Sequence, residues 1–190
     1  MQTKHLRALM AAAVFSAMPM SGFAQSMMSG TDPMVGGAAM YPSRNIIQNA
    51  VNSKDHTTLV AAVKAAGLVQ TLEGPGPFTV FAPTNEAFAA LPAGTVDTLL
   101  KPENKAELTK ILTYHVVAGD YTTAKLKALI AAHNGIALLP TVAGPDLTFT
   151  LSSNGGVNVA DDKGNVANIT VADVNQSNGE IQVVDKVLMP

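Results

Sequence analysis

The 190-residue chain contains no cysteine. It can therefore form no disulfide bond, and it has no thiol to carry the lipid of a bacterial lipoprotein. Its stability must come from a buried core instead. About 150 residues from Tyr41 onward are enough for one domain with such a core, without metal or disulfide.

Charge and aromatic residues are also sparse. The chain has 12 basic and 14 acidic residues, six Phe and three Tyr. The basic residues are scattered, and Lys125 and Lys127 are their closest cluster. Nucleic-acid binding normally needs a basic stripe and aromatic rings on which bases stack. We therefore expect no nucleic-acid partner.

A catalytic or metal-binding motif is missing as well. His56, His115 and His133 each stand alone, with no His-x-x-x-His pair and no Gly-x-Ser-x-Gly elbow. The glycine-rich segment 74–77 precedes a predicted strand rather than opening a helix, so it does not resemble a phosphate loop. Asp161 and Asp162 precede Gly164, which favours a hairpin turn over a calcium site. We predict no enzyme activity, no cofactor and no bound metal.

The N-terminus has the pattern of an export signal. Lys4 and Arg7 precede a short apolar run, and Gly22-Phe23-Ala24 offers a small-x-small cleavage site. A membrane anchor would need about 20 apolar residues, and Pro19 interrupts this run. We predict a signal peptide over residues 1–24, a secreted or periplasmic protein, and no membrane span after cleavage. Cleavage would leave ten basic and fourteen acidic residues, a formal charge of −4.

Residues 25–40 are rich in Met, Gly and Ser without a hydrophobic period, which predicts a flexible tail. From residue 41 onward, helical periodicity comes first and short β-branched runs follow, separated by Gly, Asn and Asp. Predicted helices cover residues 45–51 and 123–132. Three more helices are predicted to begin at Thr57 or Thr58, at Thr84 and at Glu103, and Gly67 stops the first of these. Predicted strands cover residues 78–82, 114–117, 136–139, 147–151, 157–159, 166–171 and 181–184. Helices before strands indicate an α+β fold in which helices pack on an antiparallel sheet.

Residues 78–86 have the pattern of a strand followed directly by a capped helix. Phe78, Val80 and Phe81 favour a strand, Pro83 ends it, and Thr84 can cap a helix whose first turn carries Glu86. Three sequence segments follow one another along the chain: Phe78-Thr79-Val80-Phe81-Ala82-Pro83-Thr84, Tyr114-His115-Val116-Val117 and Asn178-Gly179-Glu180-Ile181-Gln182-Val183-Val184-Asp185. With this layout, residues 41–190 resemble a fasciclin (FAS1) domain.

The resemblance implies a wedge of two small, mainly antiparallel sheets with about seven strands and several helices. It also implies a non-enzymatic cell-adhesion or surface-interaction module of the extracellular matrix type, here as a single domain. In some relatives, segments matching Tyr114-His115 and Asp173-Val174 engage receptors, so these four residues are the candidate interaction site. Val174 and its neighbours depart from the pattern of those relatives, and integrin binding is not carried over. We expect an unidentified surface protein or glycan as partner, and a monomer.

Two other functions compete with adhesion. The chain is 47% hydrophobic, and an apolar groove would suit a carrier of a lipid or pigment. An envelope hydrolase would need a cleft with convergent polar groups, for which the sequence gives no motif. An exposed, contiguous apolar patch would favour either an interface or a carrier.

Overall fold

The computed structural model describes residues 32–190. The predicted signal peptide, residues 1–24, lies outside this part of the chain, as do residues 25–31 of the predicted tail. Both stay predictions.

The helices fall mainly in the first half of the described chain. Asn45 caps the first of them with a reciprocal pair of hydrogen bonds to Gln48, and Gly67 ends the second in a left-handed conformation, with φ at +76°. Short 3-10 turns cover Lys54–His56 and Pro102–Asn104. The helices are α1 (Ile46–Ala50), α2 (Thr57–Ala66), α3 (Val69–Glu73), α4 (Asn85–Ala89), α5 (Thr95–Leu99), α6 (Lys105–Tyr114) and α7 (Thr123–Ala132).

Within residues 32–190 there are nine strands: β1 (Met34–Val35), β2 (Ala38–Ala39), β3 (Phe78–Pro83), β4 (Val116–Ala118), β5 (Ile136–Pro140), β6 (Asp146–Leu151), β7 (Val157–Ala160), β8 (Val166–Gln176) and β9 (Gly179–Val184). β1 and β2 form a small antiparallel hairpin. The other seven form one sheet in the order β4-β3-β9-β8-β7-β6-β5. All its pairs are antiparallel except β3 with β9, which run parallel in the centre. The predicted α+β class is confirmed, and the seven predicted strands correspond to the seven strands of the larger sheet.

The seven-stranded sheet bends at β8, which pairs with β9 on one side and with β7 on the other. The strands on both sides of β8 therefore form one continuous sheet. Register shifts occur between Ile169 and Val171 and between Val171 and Val174, and such bulges increase local twist. At the far ends, Val142 N–H donates to the Val116 carbonyl at 2.8 Å, which brings β4 close to the end of β5. The sheet therefore nearly closes on itself.

Two apolar cores lie on opposite faces of the central strands. Val80 and Ile181 face α1 to α6 in the first core. Phe81 and Val184 face α7 and the inner side of β5 to β8 in the second core. The alternation of side chains along a strand explains this division, because neighbours in sequence point to opposite faces.

Two parts of the described chain differ from expectation. Tyr114 ends α6 and His115 caps it, so the strand predicted from residue 114 begins only at Val116. Residues 33–40, predicted as part of a loose tail, contain the β1–β2 hairpin, and Val35 and Met40 are buried in the first core. The apolar contacts of those two side chains account for the order of this segment.

Candidate interaction site

Tyr114 belongs to the interior of the protein. Its ring is fully buried, and its hydroxyl donates to the Asp146 carbonyl at 3.1 Å while accepting the Asp162 N–H at 3.2 Å. Burial raises the pKa of Tyr114, although the Asp162 N–H opposes the shift. The phenol therefore links two turns of the sheet.

His115 is equally enclosed, with 2% of its surface exposed. Its Nδ1 lies 2.8 Å from the Ile111 carbonyl, and its Nε2 accepts the Leu188 N–H at 3.0 Å. This pattern requires a neutral imidazole with the proton on Nδ1. Burial lowers the pKa of His115 to about 4, so the ring stays uncharged at neutral pH.

Asp173 and Val174 lie at the bend of β8. Val174 is fully buried in the first core opposite Ile181. Asp173 is partly exposed and has a φ of +57°, a left-handed conformation that Asp tolerates better than most residues. Of the four candidate residues, Asp173 alone therefore reaches the surface. The structure does not bring the four together as one exposed patch.

Asp173 instead belongs to a polar cluster, formed by Thr79, Asp120, Thr123, Asp173, Glu180 and Gln182. Thr79, Glu180 and Gln182 point to the same face of the central strands β3 and β9 and are fully buried. Asp173 Oδ1 accepts from the Thr123 N–H at 2.6 Å and from Gln182 Nε2 at 3.1 Å. The Thr123 hydroxyl donates to Asp173 Oδ2. Burial alone would raise the pKa of Asp173, but these hydrogen bonds outweigh burial and lower it.

Glu180 is the unusual member of the polar cluster. None of its surface is exposed, and neither carboxyl oxygen has a hydrogen-bond donor among the described residues. Burial, followed by the neighbouring carboxyls of Asp173 and Asp120, raises the pKa of Glu180 to about 8. Asp120 itself pairs with Lys125 Nζ at 2.6 Å, near the surface.

A different feature dominates the outer face of the sheet. Along β5 the buried and exposed residues alternate, and the alternation continues past the strand to Thr141 and Val142. The exposed positions are all apolar, and we call them the apolar stripe: Ile136, Leu138, Pro140 and Val142. The exposed fractions of Ile136, Leu138 and Val142 are 54%, 59% and 48%.

The stripe lies on a strand with one paired neighbour. β5 stands at one end of the sheet order and pairs with β6, where Leu138 is in register with Thr148 and Ile136 with Thr150. Pro140 is in register with the exposed Asp146, so two threonines and one carboxylate border the stripe on β6. Contiguous exposed apolar residues on a sheet edge are typical of a protein interaction surface.

Two hollows among the described residues are relevant to ligand binding. An apolar cavity of about 40 Å³ lies in the first core beside His56 and Leu59. Burial lowers the pKa of His56, which favours a neutral ring there. A polar groove of about 630 Å³ runs along residues 75–77 and 175–179, with Asp120 on its rim.

Within residues 32–190, no group of three His, Asp or Glu side chains is placed to hold a metal ion. Asp161 accepts hydrogen bonds from the N–H groups of Lys163, Asn165 and Met189, as expected of a turn residue that also anchors a distant segment. None of the helices described has the length and apolar character needed to cross a membrane.

Comparison with known proteins places this architecture in context. The family model described as Fasciclin domain matches residues 54–190. Protein sll1483 of Synechocystis sp. is 46% identical over 173 residues, covering 91% of this chain and 88% of that protein. Cell surface glycolipoprotein MPB83 of Mycobacterium bovis is 34% identical over 160 residues, covering 84% of this chain and 61% of that protein.

A solved structure has the same fold. It is a FAS1 domain pair from the insect cell adhesion molecule fasciclin I, with a TM-score of 0.68 and 18% sequence identity. The match covers 77% of this chain and 51% of the solved chain. At this identity the likeness concerns the fold, and it confirms the FAS1 architecture expected from the sequence.

Sequence reasoning missed the apolar stripe and Glu180. The segment around the stripe is apolar at nearly every position, so its composition does not reveal which face is exposed. A sequence signal for Glu180 did exist, because a charged residue directly precedes the predicted strand 181–184. The structure buries Glu180 together with that whole strand.

Proposed function

The chain belongs to the fasciclin domain family, and from that premise we propose that it is an exported, non-enzymatic surface-interaction module that binds a partner protein through its apolar stripe. The observation that carries this proposal is the exposure of Ile136, Leu138 and Pro140 on the outer face of β5, with Val142 shortly after the strand. Burying these residues against a partner would remove apolar surface from water.

The chemistry around the stripe favours a protein over a glycan as the partner. The adjacent residues of β6 are Thr148 and Thr150, which supply hydroxyl groups, and Asp146, which supplies one carboxylate opposite Pro140. Apolar residues at the centre of a contact with polar neighbours at its margin are the usual composition of protein interfaces. A glycan would instead need several convergent polar groups.

Relatives support a role at a surface. MPB83 is named a cell surface glycolipoprotein, and fasciclin I is named a cell adhesion molecule. The predicted export signal at residues 1–24 agrees with such a location. In this proposal the protein acts as a secreted or periplasmic monomer, with neither nucleic acid nor a membrane span involved.

The carrier function receives less support. Pockets for organic ligands usually measure about 300–1,000 Å³, whereas the apolar cavity measures about 40 Å³. That space suits a water-sized occupant rather than a lipid or a pigment. The polar groove is large enough, but it is open, and its lining mixes Asn, Gln, Ser and Asp side chains with Pro75 and Pro77, so it does not enclose an apolar ligand.

The proposal is tested with a double variant, Ile136→Thr with Leu138→Thr. Threonine keeps the strand propensity while removing most of the apolar surface. Beads carrying the protein are tested for attachment to cells of the source organism, and affinity is measured against an isolated surface protein. We expect affinity to fall about tenfold or more, since central apolar contacts dominate binding.

Val51→Thr is the matched control, because Val51 is 47% exposed but lies at the end of α1. Unchanged attachment of the double variant, or an equal loss in the control, would contradict the proposal. Mass spectrometry of the protein purified from its native source separates the carrier alternative. A stoichiometric apolar ligand there would favour carriage.

A further inference from the structure

The segment 119–123 covers the polar cluster, and we call it the cap segment. We propose that Glu180 holds a proton at neutral pH, and that loss of this proton releases the cap segment from the central sheet. In this proposal the polar cluster, which lies beside the polar groove, holds the cap segment against the sheet while Glu180 is protonated. We call this arrangement the latch, and the state with the cap segment held is the latched form. This inference does not depend on the apolar stripe.

The cap segment is attached to the sheet by a small set of polar contacts. Thr79 donates its hydroxyl to the Gly119 carbonyl at 2.7 Å and accepts the Tyr121 N–H at 2.9 Å. Gln182 Nε2 donates to the Tyr121 carbonyl at 3.3 Å. Together with the Thr123 N–H on Asp173, these bonds connect the cap segment to β3, β8 and β9.

Glu180 lies beneath this cover without a donor of its own. It is in register with Thr79 on β3 and with Asn175 on β8, and neither side chain carries a charge. The charged groups facing it are the carboxyls of Asp173 on β8 and Asp120 in the cap segment. The nearby cation on α7, Lys125, already binds Asp120 through its side-chain oxygen and its carbonyl.

A protonated Glu180 fits these surroundings and an ionised Glu180 does not. As an acid it can donate its proton to an adjacent carboxylate, which satisfies both groups. As a carboxylate it would place a third negative charge beside two others in a buried site, at a high free-energy cost. A metal ion is not the occupant inferred, since the described residues include no three acidic or histidine side chains placed as its ligands.

The structure indicates which element would move when Glu180 loses its proton. An ionised Glu180 requires water, and the element between Glu180 and solvent is the cap segment. It is held by side-chain hydrogen bonds to the sheet and by packing of Tyr121 against the margin of the second core. Asp120 lines the polar groove, so water can enter from that side. Opening there would widen the groove and loosen the start of α7.

The acid–base properties agree with this geometry. Burial and the two neighbouring carboxyls raise the pKa of Glu180 to about 8, while hydrogen bonds lower the pKa of Asp173. The folded form therefore keeps a proton over a pH range in which the unfolded chain has lost it. Raising the pH through this range destabilises the latched form.

Nuclear magnetic resonance of the isotopically labelled full chain tests the latch. We expect the side-chain carboxyl carbon of Glu180 to titrate with a midpoint near 8. At each pH we compare the exchange rates of the Tyr121 and Thr123 amides in the unaltered protein with those in Glu180→Gln, whose side chain cannot ionise. We expect the ratio of these rates to rise at least about tenfold between pH 6 and pH 8.5. Comparing the two proteins at each pH cancels the intrinsic pH dependence of exchange.

Glu73→Gln is the control, since Glu73 is exposed at the end of α3 and should leave the exchange of both amides unchanged. A Glu180 midpoint below about 5, close to the ordinary pKa, would overturn the proposal. Equal acceleration of both amides in Glu180→Gln would overturn it as well. If that variant does not fold, the Glu180 titration in the unaltered protein decides, with the Val183 amide in β9 as the internal reference for exchange.

Discussion

The Nε2 atom of His115 accepts the backbone N–H of Leu188 at 3.0 Å, which joins the end of α6 to a segment 73 residues later in the chain. Nδ1 of the same ring bonds to the Ile111 carbonyl, so the neutral imidazole bridges a helix and the segment after β9. The bond to Leu188 depends on the ring being uncharged, because a protonated Nε2 cannot accept a hydrogen bond. The protonation state of one side chain thus controls a long-range contact.

Acid is expected to weaken the fold through His115. Its folded pKa of about 4 lies below the usual 6.5, so its stabilising effect is present above pH 6.5 and is lost as the pH falls toward 4. Between pH 7 and pH 4, the unaltered protein should lose about 3 kcal/mol more unfolding free energy than His115→Gln. Urea titrations at several pH values measure this difference.

His133→Gln is the control for this prediction, because His133 is exposed on the end of α7. It should leave the pH profile unchanged. A profile in His115→Gln as steep as that of the unaltered protein would show that His115 does not carry the effect.

Asn178 should contribute strongly to stability although it lies in a turn. Its side chain accepts the Ile46 N–H at 3.0 Å and donates to the carbonyls of Leu72 and Gly74, at 2.7 and 3.0 Å. Asn178→Ala leaves these three backbone groups unpaired, and we expect a loss of about 2–3 kcal/mol in urea unfolding. Asn52→Ala, which removes one exposed bond to Gln48, should cost less than about 1 kcal/mol. Equal losses would contradict this account.

Gly179 is expected to reject any side chain. Its φ is +150°, and an added Cβ would lie 2.0 Å from the Phe78 carbonyl oxygen, a backbone atom of the paired strand. Gly179→Ala should therefore cost about 3 kcal/mol or more. Gly155→Ala also has positive φ but meets no atom within 4 Å, so about 1 kcal/mol is expected. Thermal unfolding of the two variants provides the comparison.

The N-terminal hairpin should be part of the cooperative unit. Met40 is 1% exposed and packs in the first core, so Met40→Ala is expected to cost about 2–5 kcal/mol. Met34→Ala removes the same side chain from a position that is 61% exposed, and it should change stability by less than about 0.5 kcal/mol. A neutral Met40→Ala would mean that the hairpin unfolds independently of the domain.

Local signals predicted the elements whose ends are set by local chemistry. Thr84 caps α4 by accepting the Ala87 N–H, and Gly67 ends α2, both as the residue types indicate. The strand at residues 78–82 matches β3 because its residue types favour a buried strand. Such features depend on a few neighbouring residues, so the sequence is sufficient to place them.

Features set by distant contacts were not predictable in the same way. β8 continues to Gln176, beyond the predicted residue 171, because its bulges interrupt the period of two that the prediction relied on. The β1–β2 hairpin has two-residue strands, too short for any period, and depends on the burial of Val35 and Met40. The candidate site suffered most, since exposure of the apolar stripe follows from the sheet order rather than from composition.

The central position of β9 has a consequence for how the protein acquires its structure. β9 separates β3 from β8, and its parallel register pairs Phe78 with Gly179, about 100 residues away in sequence. Neither core can close until this late strand is in place, and such nonlocal pairing slows folding. A nascent chain in which β9 has not yet been made would remain open and accessible to chaperones. In an exported protein of the kind proposed above, that delay would keep the precursor competent for translocation until β9 has been made.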